Sequence, residues 1–229
     1  MRSVLVLTAL ELEARTLARE LGLEPVPSSG WPHFRGGVLE IACVGLRASA
    51  LAARAPACRR PALVASAGVC GALSPALREG MLVVPEAVVC ASGERFATGR
   101  VAPLVPSGTL LWARELVESP SEKARLWIET GALAVDMESG PILAWAREAG
   151  VPAAVVRAVS DSASESVPPE LAAAVAVDGT LSPSRAVRAA LTRPAVLGRA
   201  FGLRRGTTAA LSAVARALAS VARATAAGA

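Results

Sequence analysis

At 229 residues, with 53% hydrophobic and only 3% aromatic content, the chain can bury one full core and is too apolar for disorder. Its net charge of +5 is carried by the end: residues 183–229 hold eight Arg and no acid, leaving 16 basic against 19 acidic residues before them. An acidic body with no Tyr to stack on bases argues against nucleic acid as a partner. The four cysteines (Cys43, Cys58, Cys70, Cys90) form no C-x-x-C pair and His33 is the lone histidine, so no metal site is expected. The cysteines read as small apolar residues of a reducing compartment. The first residues show no signal-peptide layout, which predicts a cytoplasmic protein. The longest uncharged run, 61–77, is broken by Gly68, Gly71 and Pro75 and does not read as a membrane span.

In chain order, the apolar run 3–9 reads as a buried strand. Residues 11–21 read as a helix, with Leu10, Ala14, Leu17, Ala18 and Leu21 at helical spacing. The Pro- and Gly-rich stretch 24–37 predicts a loop or loose hairpin. A strand follows over 39–44 and a helix over 47–57. A buried strand over 62–67 enters a turn at Gly68-Val69-Cys70-Gly71. Residues 81–89 read as a strand interrupted at Pro85, and 90–108 as loop-rich. Helices are expected over 110–117 and 121–130, a strand over 132–136, a helix over 139–149 and a strand over 153–159. Alternating buried strands and helices predict a layered α/β fold with a largely parallel sheet. Residues 1–182 make up this domain, punctuated near its end by Pro168-Pro169 and Ser182-Pro183. The Arg-rich extension 183–229 reads as helical, with Leu211, Val214, Leu218 and Val221 on one face and Arg216 and Arg223 on the other. Such a helix packs either on the same domain or against anionic membrane.

Several acids sit where ligands meet open α/β sheets, beyond the carboxyl ends of strands. Glu11 and Glu13 follow the first strand. They either complement a helix dipole or aim a carboxylate over the sheet edge to activate water. Glu138 opens a helix and either caps it or pairs with an Arg; alternatively, it accepts hydrogen bonds from a vicinal diol such as that of ribose. Asp161 follows the strand over 153–159, as a cap or turn former or as a general acid if burial raises its pKa. Gly68 and Gly71 allow a ligand to approach the backbone. Arg47, after Gly45-Leu46, either meets a phosphate or lies in solvent.

Taken together and in this order, Thr8-Ala9-Leu10-Glu11-Leu12-Glu13, Gly68-Val69-Cys70-Gly71-Ala72-Leu73, Gly80-Met81-Leu82-Val83-Val84, Val135-Asp136-Met137-Glu138-Ser139 and Arg157-Ala158-Val159-Ser160-Asp161 resemble the nucleoside phosphorylase family. They are most similar to its nucleosidase branch, which cleaves methylthioadenosine and adenosylhomocysteine. The resemblance implies a three-layer α/β/α fold with a mixed central sheet and cleavage of a ribosyl–purine bond without a cofactor, phosphate being a conceivable co-substrate. It implies Asp161 as the acid at purine N7, oriented by Ser160. It places Met137 and Glu138 on the ribose, Glu13 on the attacking water, and Gly68, Val69 and Gly71 beside the base or nucleophile. Val69 stands where the nucleosidases carry Ser. The stretch 90–131 is short and leaves Phe96 or Trp127 as the aromatic partners for the base. The small apolar Val69, the segment from Ser121-Glu122-Lys123-Ala124 to Thr130-Gly131-Ala132-Leu133-Ala134 and the Arg-rich tail look like the hopanoid-associated phosphorylases, whose implied task is removing adenine from adenosylhopane. A homo-oligomer is implied as well, with His33 or Arg35 reaching a neighbour's site.

Overall fold

A computed structural model describes residues 3–167, 176–180 and 194–227, the last segment with its side chains from 206 onward. Strand β1 (Val4–Thr8) leads into helix α1 (Glu11–Leu21), which Gly22 ends in a left-handed conformation. Strands β2 (Glu24–Pro25), β3 (His33–Gly36) and β4 (Leu39–Cys43) form the expected hairpin region. The short helix α2 (Leu51–Arg54) precedes the long strand β5 (Leu63–Ala72). Next come β6 (Leu82–Val83), β7 (Ala87–Cys90), β8 (Arg95–Ala97) and β9 (Thr109–Trp112). Helix α3 (Pro120–Thr130), capped by the Ser119 hydroxyl on the Glu122 N–H, is followed by β10 (Ala134–Asp136). Helix α4 (Ser139–Glu148), β11 (Ala153–Asp161) and α5 (Pro194–Ala227) complete the order.

The eleven strands among the described residues join one sheet, in the order β2-β3-β4-β1-β5-β10-β9-β7-β8, with β11 running beside β5 and β6 beside β11. The pairs β4/β1, β1/β5, β5/β11, β10/β9 and β7/β9 are parallel, whereas β5/β10 in the middle of the sheet and β2/β3, β3/β4, β7/β8 and β6/β11 are antiparallel. Strand alternation sends Val4 and Val6 to one face and Leu5 and Leu7 to the other. The first face is covered by α1 and α5 through Leu17, Leu211, Val214, Leu218 and Val221. The second is covered by α4 through Ile142, Leu143 and Ala146. The result is the expected three-layer α/β/α arrangement.

Helix α5 is one layer of this sandwich. Its apolar stripe is buried, while Arg216 and Arg223 are exposed. Over residues 206–227 the helix therefore packs on the domain. The other arginines of the tail, Pro168-Pro169 and Ser182-Pro183 lie outside the described side chains. Among the described residues no helix is long and apolar enough to cross a membrane.

Three segments differ from expectation. Residues 68–71 are not a turn but the second half of β5, held in register with 157–161 of β11. Residues 110–117 begin as strand β9, because Leu110 and Leu111 are buried between parallel neighbours β7 and β10. A short apolar run does not distinguish helix from strand until its neighbours are known. The helix expected over 47–57 is broken into two 3-10 turns around α2. Arg47 and Ala48 are left-handed there, with φ of 54° and 56°, and Pro56 lacks an N–H to donate.

Candidate active site

The site begins at a split in the sheet. Strand β5 pairs with β1 only through Ser66, and on that side it next meets β10 at Gly71. Between these points its edge faces no strand. The carboxylate of Glu13 fills the place, its Oε1 accepting the Val69 N–H at 2.9 Å. Glu13 Oε2 accepts the N–H groups of Ala9 and Leu10, both at 3.0 Å, at the carboxyl end of β1. Gly68 makes this possible: its φ is 145°, and a Cβ there would collide with Glu13 Oε1 and reach within 2.8 Å of Arg157 Nη1. Glu11, two residues earlier, instead pairs with Arg15 on the surface at 2.6 Å.

Arg157 lies at the centre of the acids. It is 1% exposed, on the β11 face that also carries Val155 and Val159. Its Nη2 meets Asp136 Oδ2 at 2.8 Å, the Ser66 hydroxyl at 2.9 Å and Glu138 Oε2 at 3.8 Å. Asp136 also accepts the Ser139 N–H and hydroxyl, which fixes the start of α4. Glu138 Oε1 accepts the Arg47 N–H at 3.0 Å, so the left-handed turn at 47–48 serves to present that donor. Burial works against the charge on Arg157, but Asp136, Glu138 and Glu13 outweigh it and hold the guanidinium above its usual range. Burial also raises Glu13, with Arg157 and three backbone donors opposing. Glu138 is pushed up to about 7, first by burial and then by Asp136 and Glu13, against the pull of Arg157.

The Glu138 shift has a stability consequence. Its folded pKa is raised from 4.5, so ionisation is penalised in the folded state. The associated stability is present below about 4.5 and is lost as pH rises through about 7. Glu138→Gln keeps an acceptor for the Arg47 N–H and removes the charge. The variant is expected to melt above wild type at pH 8 and to lose that advantage at acidic pH, as read by thermal melts at both.

The second group of polar side chains sits further along β5. Asp161 pairs with Gly71 in the β5/β11 register, and Gly71 leaves room for its buried carboxylate: a Cβ there would lie 3.0 Å from Asp161 Oδ2. Ser160 donates its hydroxyl to Asp161 Oδ1 at 2.7 Å, with Cys70 O at 3.3 Å. Lys123, from the first turn of α3, donates to Asp161 Oδ2 at 2.5 Å. Bare burial is therefore not the environment of Asp161; an ammonium faces it. From Gly68, beside Glu13, to Gly71, beside Asp161, is three strand residues, about 10 Å. That span matches a nucleoside laid along β5, with carboxylates at both ends.

The remaining candidates divide. Met137 is half-buried and its carbonyl accepts the Trp112 indole N–H at 3.1 Å, so the residue preceding Glu138 is anchored. Val69 supplies its N–H to Glu13 and its carbonyl to Arg157. The Arg47 side chain is exposed and donates to the Arg114 carbonyl, which leaves only its backbone in the site. Phe96 is buried in the α4-side core beneath Arg147, so it is not available to stack on a base; Trp127 is 36% exposed on α3. His33 and Arg35 are paired within the chain. Both bind Glu40, at 2.7 and 2.8 Å, with His33 stacked on Trp31. Although burial opposes it, these two hydrogen bonds hold Glu40 down at about 2. Cys58 Sγ lies within 4.8 Å of the ligand atoms of His33 and Glu40, the geometry of a metal triad. Arg35 and the Arg59 N–H already occupy the Glu40 carboxylate, however, and their positive charge disfavours a cation.

Sequence reasoning assigned no role to Arg157, Asp136, Lys123, Ser66 or Ser139. For Arg157 a signal was available: a charged residue inside an otherwise apolar strand must be paired if that strand is buried.

The fold and the split sheet define the class: an α/β fold like that of nucleoside phosphorylases and nucleosidases. The sequence profile described as the phosphorylase superfamily matches residues 94–192. Among solved structures, the chain is similar to native futalosine hydrolase of Helicobacter pylori, at 18% identity and a TM-score of 0.67, covering 96% of this chain and 97% of that one. It is similar to 5′-methylthioadenosine nucleosidase of Arabidopsis thaliana in its apo form, at 16% identity and 0.68, covering 96% of each. A mutant nucleosidase of Helicobacter pylori with 5′-methylthioadenosine in its active site matches at 17% and 0.66, covering 96% and 98%. No curated protein sequence matches the chain.

Proposed function

We propose that this protein is a nucleosidase that cleaves the N-glycosidic bond of an adenine nucleoside and releases adenine. The observation that carries the reading is that Glu13 fills the uncovered edge of β5 at Val69, with Glu138 beside Arg157 and Asp161 opposite Gly71 of the same strand. A ribosyl cation developing at C1′ is stabilised by nearby anions, and the departing purine needs a proton at its far end. Glu138 holds the ribose hydroxyls, Met137 packs on the sugar, Glu13 takes the proton of the attacking water, and Asp161 with Ser160 serves purine N7. The solved relatives named as nucleosidases and futalosine hydrolase support the same reaction class.

Water is favoured over phosphate. An incoming phosphate is held by free backbone N–H groups and cations. Here Ala9, Leu10 and Val69 donate to Glu13, Arg47 to Glu138, Glu11 to Gly179 O and Leu46 to Val177 O. Three buried carboxylates would also repel a dianion.

Adenosylhopane is the substrate supported by the motif resemblance. The packed α5 gives that choice no further weight, since its apolar face is used by the core. Methylthioadenosine is the second reading, supported by the solved nucleosidases. The purified protein is expected to release adenine from at least one of adenosylhopane, methylthioadenosine and adenosylhomocysteine, at a rate that added inorganic phosphate does not change. Chromatography of the products decides it. No adenine from any of the three overturns the reading, and a ribose 1-phosphate product overturns the choice of water.

A further inference from the structure

Lys123 is 0% exposed. Its ammonium has three acceptors: Asp161 Oδ2 at 2.5 Å, Ser162 O at 2.8 Å and Glu165 O at 2.9 Å. All three N–H bonds are thereby directed, and one of them points at the acid placed at the base. The location is a poor one for a lysine that only stabilises the fold. The first turn of a helix favours negative charge, and a buried ion pair contributes little net stability over apolar packing. The carboxylate it holds takes Lys123 on Oδ2 and Ser160 on Oδ1 and lies against Gly71, where no Cβ intervenes.

We propose that Lys123 is a positioning residue for base departure: it clamps Asp161 and replaces the proton that Asp161 hands to the purine. The proposal rests on the nucleosidase reading. As the C1′–N9 bond breaks, its electron pair moves into the purine and N7 takes a proton by way of Asp161. The Nζ–H bond of Lys123 breaks as an O–H bond forms on Asp161, which passes that proton to N7, so Asp161 ends as the carboxylate it began as and Lys123 as a neutral amine. Water bonds to C1′ and its proton goes to Glu13. Solvent then returns a proton to Lys123 and removes one from Glu13.

The test compares two substrates in the full-length protein: methylthioadenosine and its N7-methylated form. The second carries its positive charge already and leaves without a proton. Lys123→Met is expected to lower kcat on methylthioadenosine by about 100-fold or more, with KM changed less than about threefold, since general acid catalysis contributes in that range. On the N7-methylated nucleoside its kcat should stay within about threefold of wild type, on the same principle. Lys123→Gln, which still hydrogen-bonds Asp161 but carries no charge, should show the same selective loss. Equal losses on both nucleosides, or no loss on either, overturn the proposal. If wild-type protein does not cleave methylthioadenosine, the same pair of measurements uses adenosylhomocysteine or adenosylhopane and its N7-methylated form; wild-type protein that cleaves none of the three overturns the nucleosidase reading, and the role of Lys123 with it.

Discussion

Arg157→Met is expected to destabilise the fold by about 3–5 kcal/mol at pH 8, the usual consequence of removing one partner of a buried ion pair. Arg157 faces Asp136 at 2.8 Å and Glu138 at 3.8 Å and also draws on the charge of Glu13. Without it, three buried carboxylates lose their counter-charge and Ser66 loses a donor. The loss should shrink as pH falls and the acids take up protons, because the neutral forms tolerate burial. Adding Asp136→Asn should recover part of it at pH 8. Urea denaturation of the single and double variants at pH 5 and pH 8 checks both statements. A pH-independent loss below about 1 kcal/mol would mean the guanidinium is not compensating these acids.

Asp161→Asn is expected to lower kcat for release of an unmodified purine by about 10²–10⁴-fold, the usual contribution of a positioned acid. Asparagine keeps an oxygen for Lys123 and fits the same space beside Gly71, so the surroundings of residue 161, where the base is proposed to sit, keep their shape. The variant should therefore bind adenine about as well as wild type while turning over far more slowly. Calorimetric adenine binding together with single-turnover rates separates the two. Loss of adenine affinity in step with rate would assign Asp161 to binding instead of to proton transfer.

Much of the scaffold is readable from the chain because its local and global preferences agree. The first strand, α1, α3, α4 and β11 follow from buried apolar runs, a Ser119-Pro120 helix start and glycines at helix ends. Glu13, Glu138 and Asp161 are readable because each follows an apolar strand run, where ligands gather in such sheets. What was not readable depends on contacts distant in sequence. Thr109–Trp112 is a strand only because β7 and β10 flank it. The glycines at 68 and 71 suggest a turn, yet β11 holds the chain extended through them. Lys123 looks like an ordinary helix-surface residue, and only the carbonyls of Ser162 and Glu165 show why it is buried. The amphipathic pattern of α5 was correct, but amphipathicity does not say whether the apolar side meets lipid or the molecule's own sheet.

The gap in the sheet has one more implication. Where a neighbouring strand would bind Val69, Glu13 does so instead, so that carboxylate belongs to the scaffold as well as to the proposed chemistry. If Glu13 takes a proton in the proposed reaction, a rung beside the β-ladder weakens with it. Reaction and architecture would then share one hydrogen bond, and replacing residue 13 would disturb both.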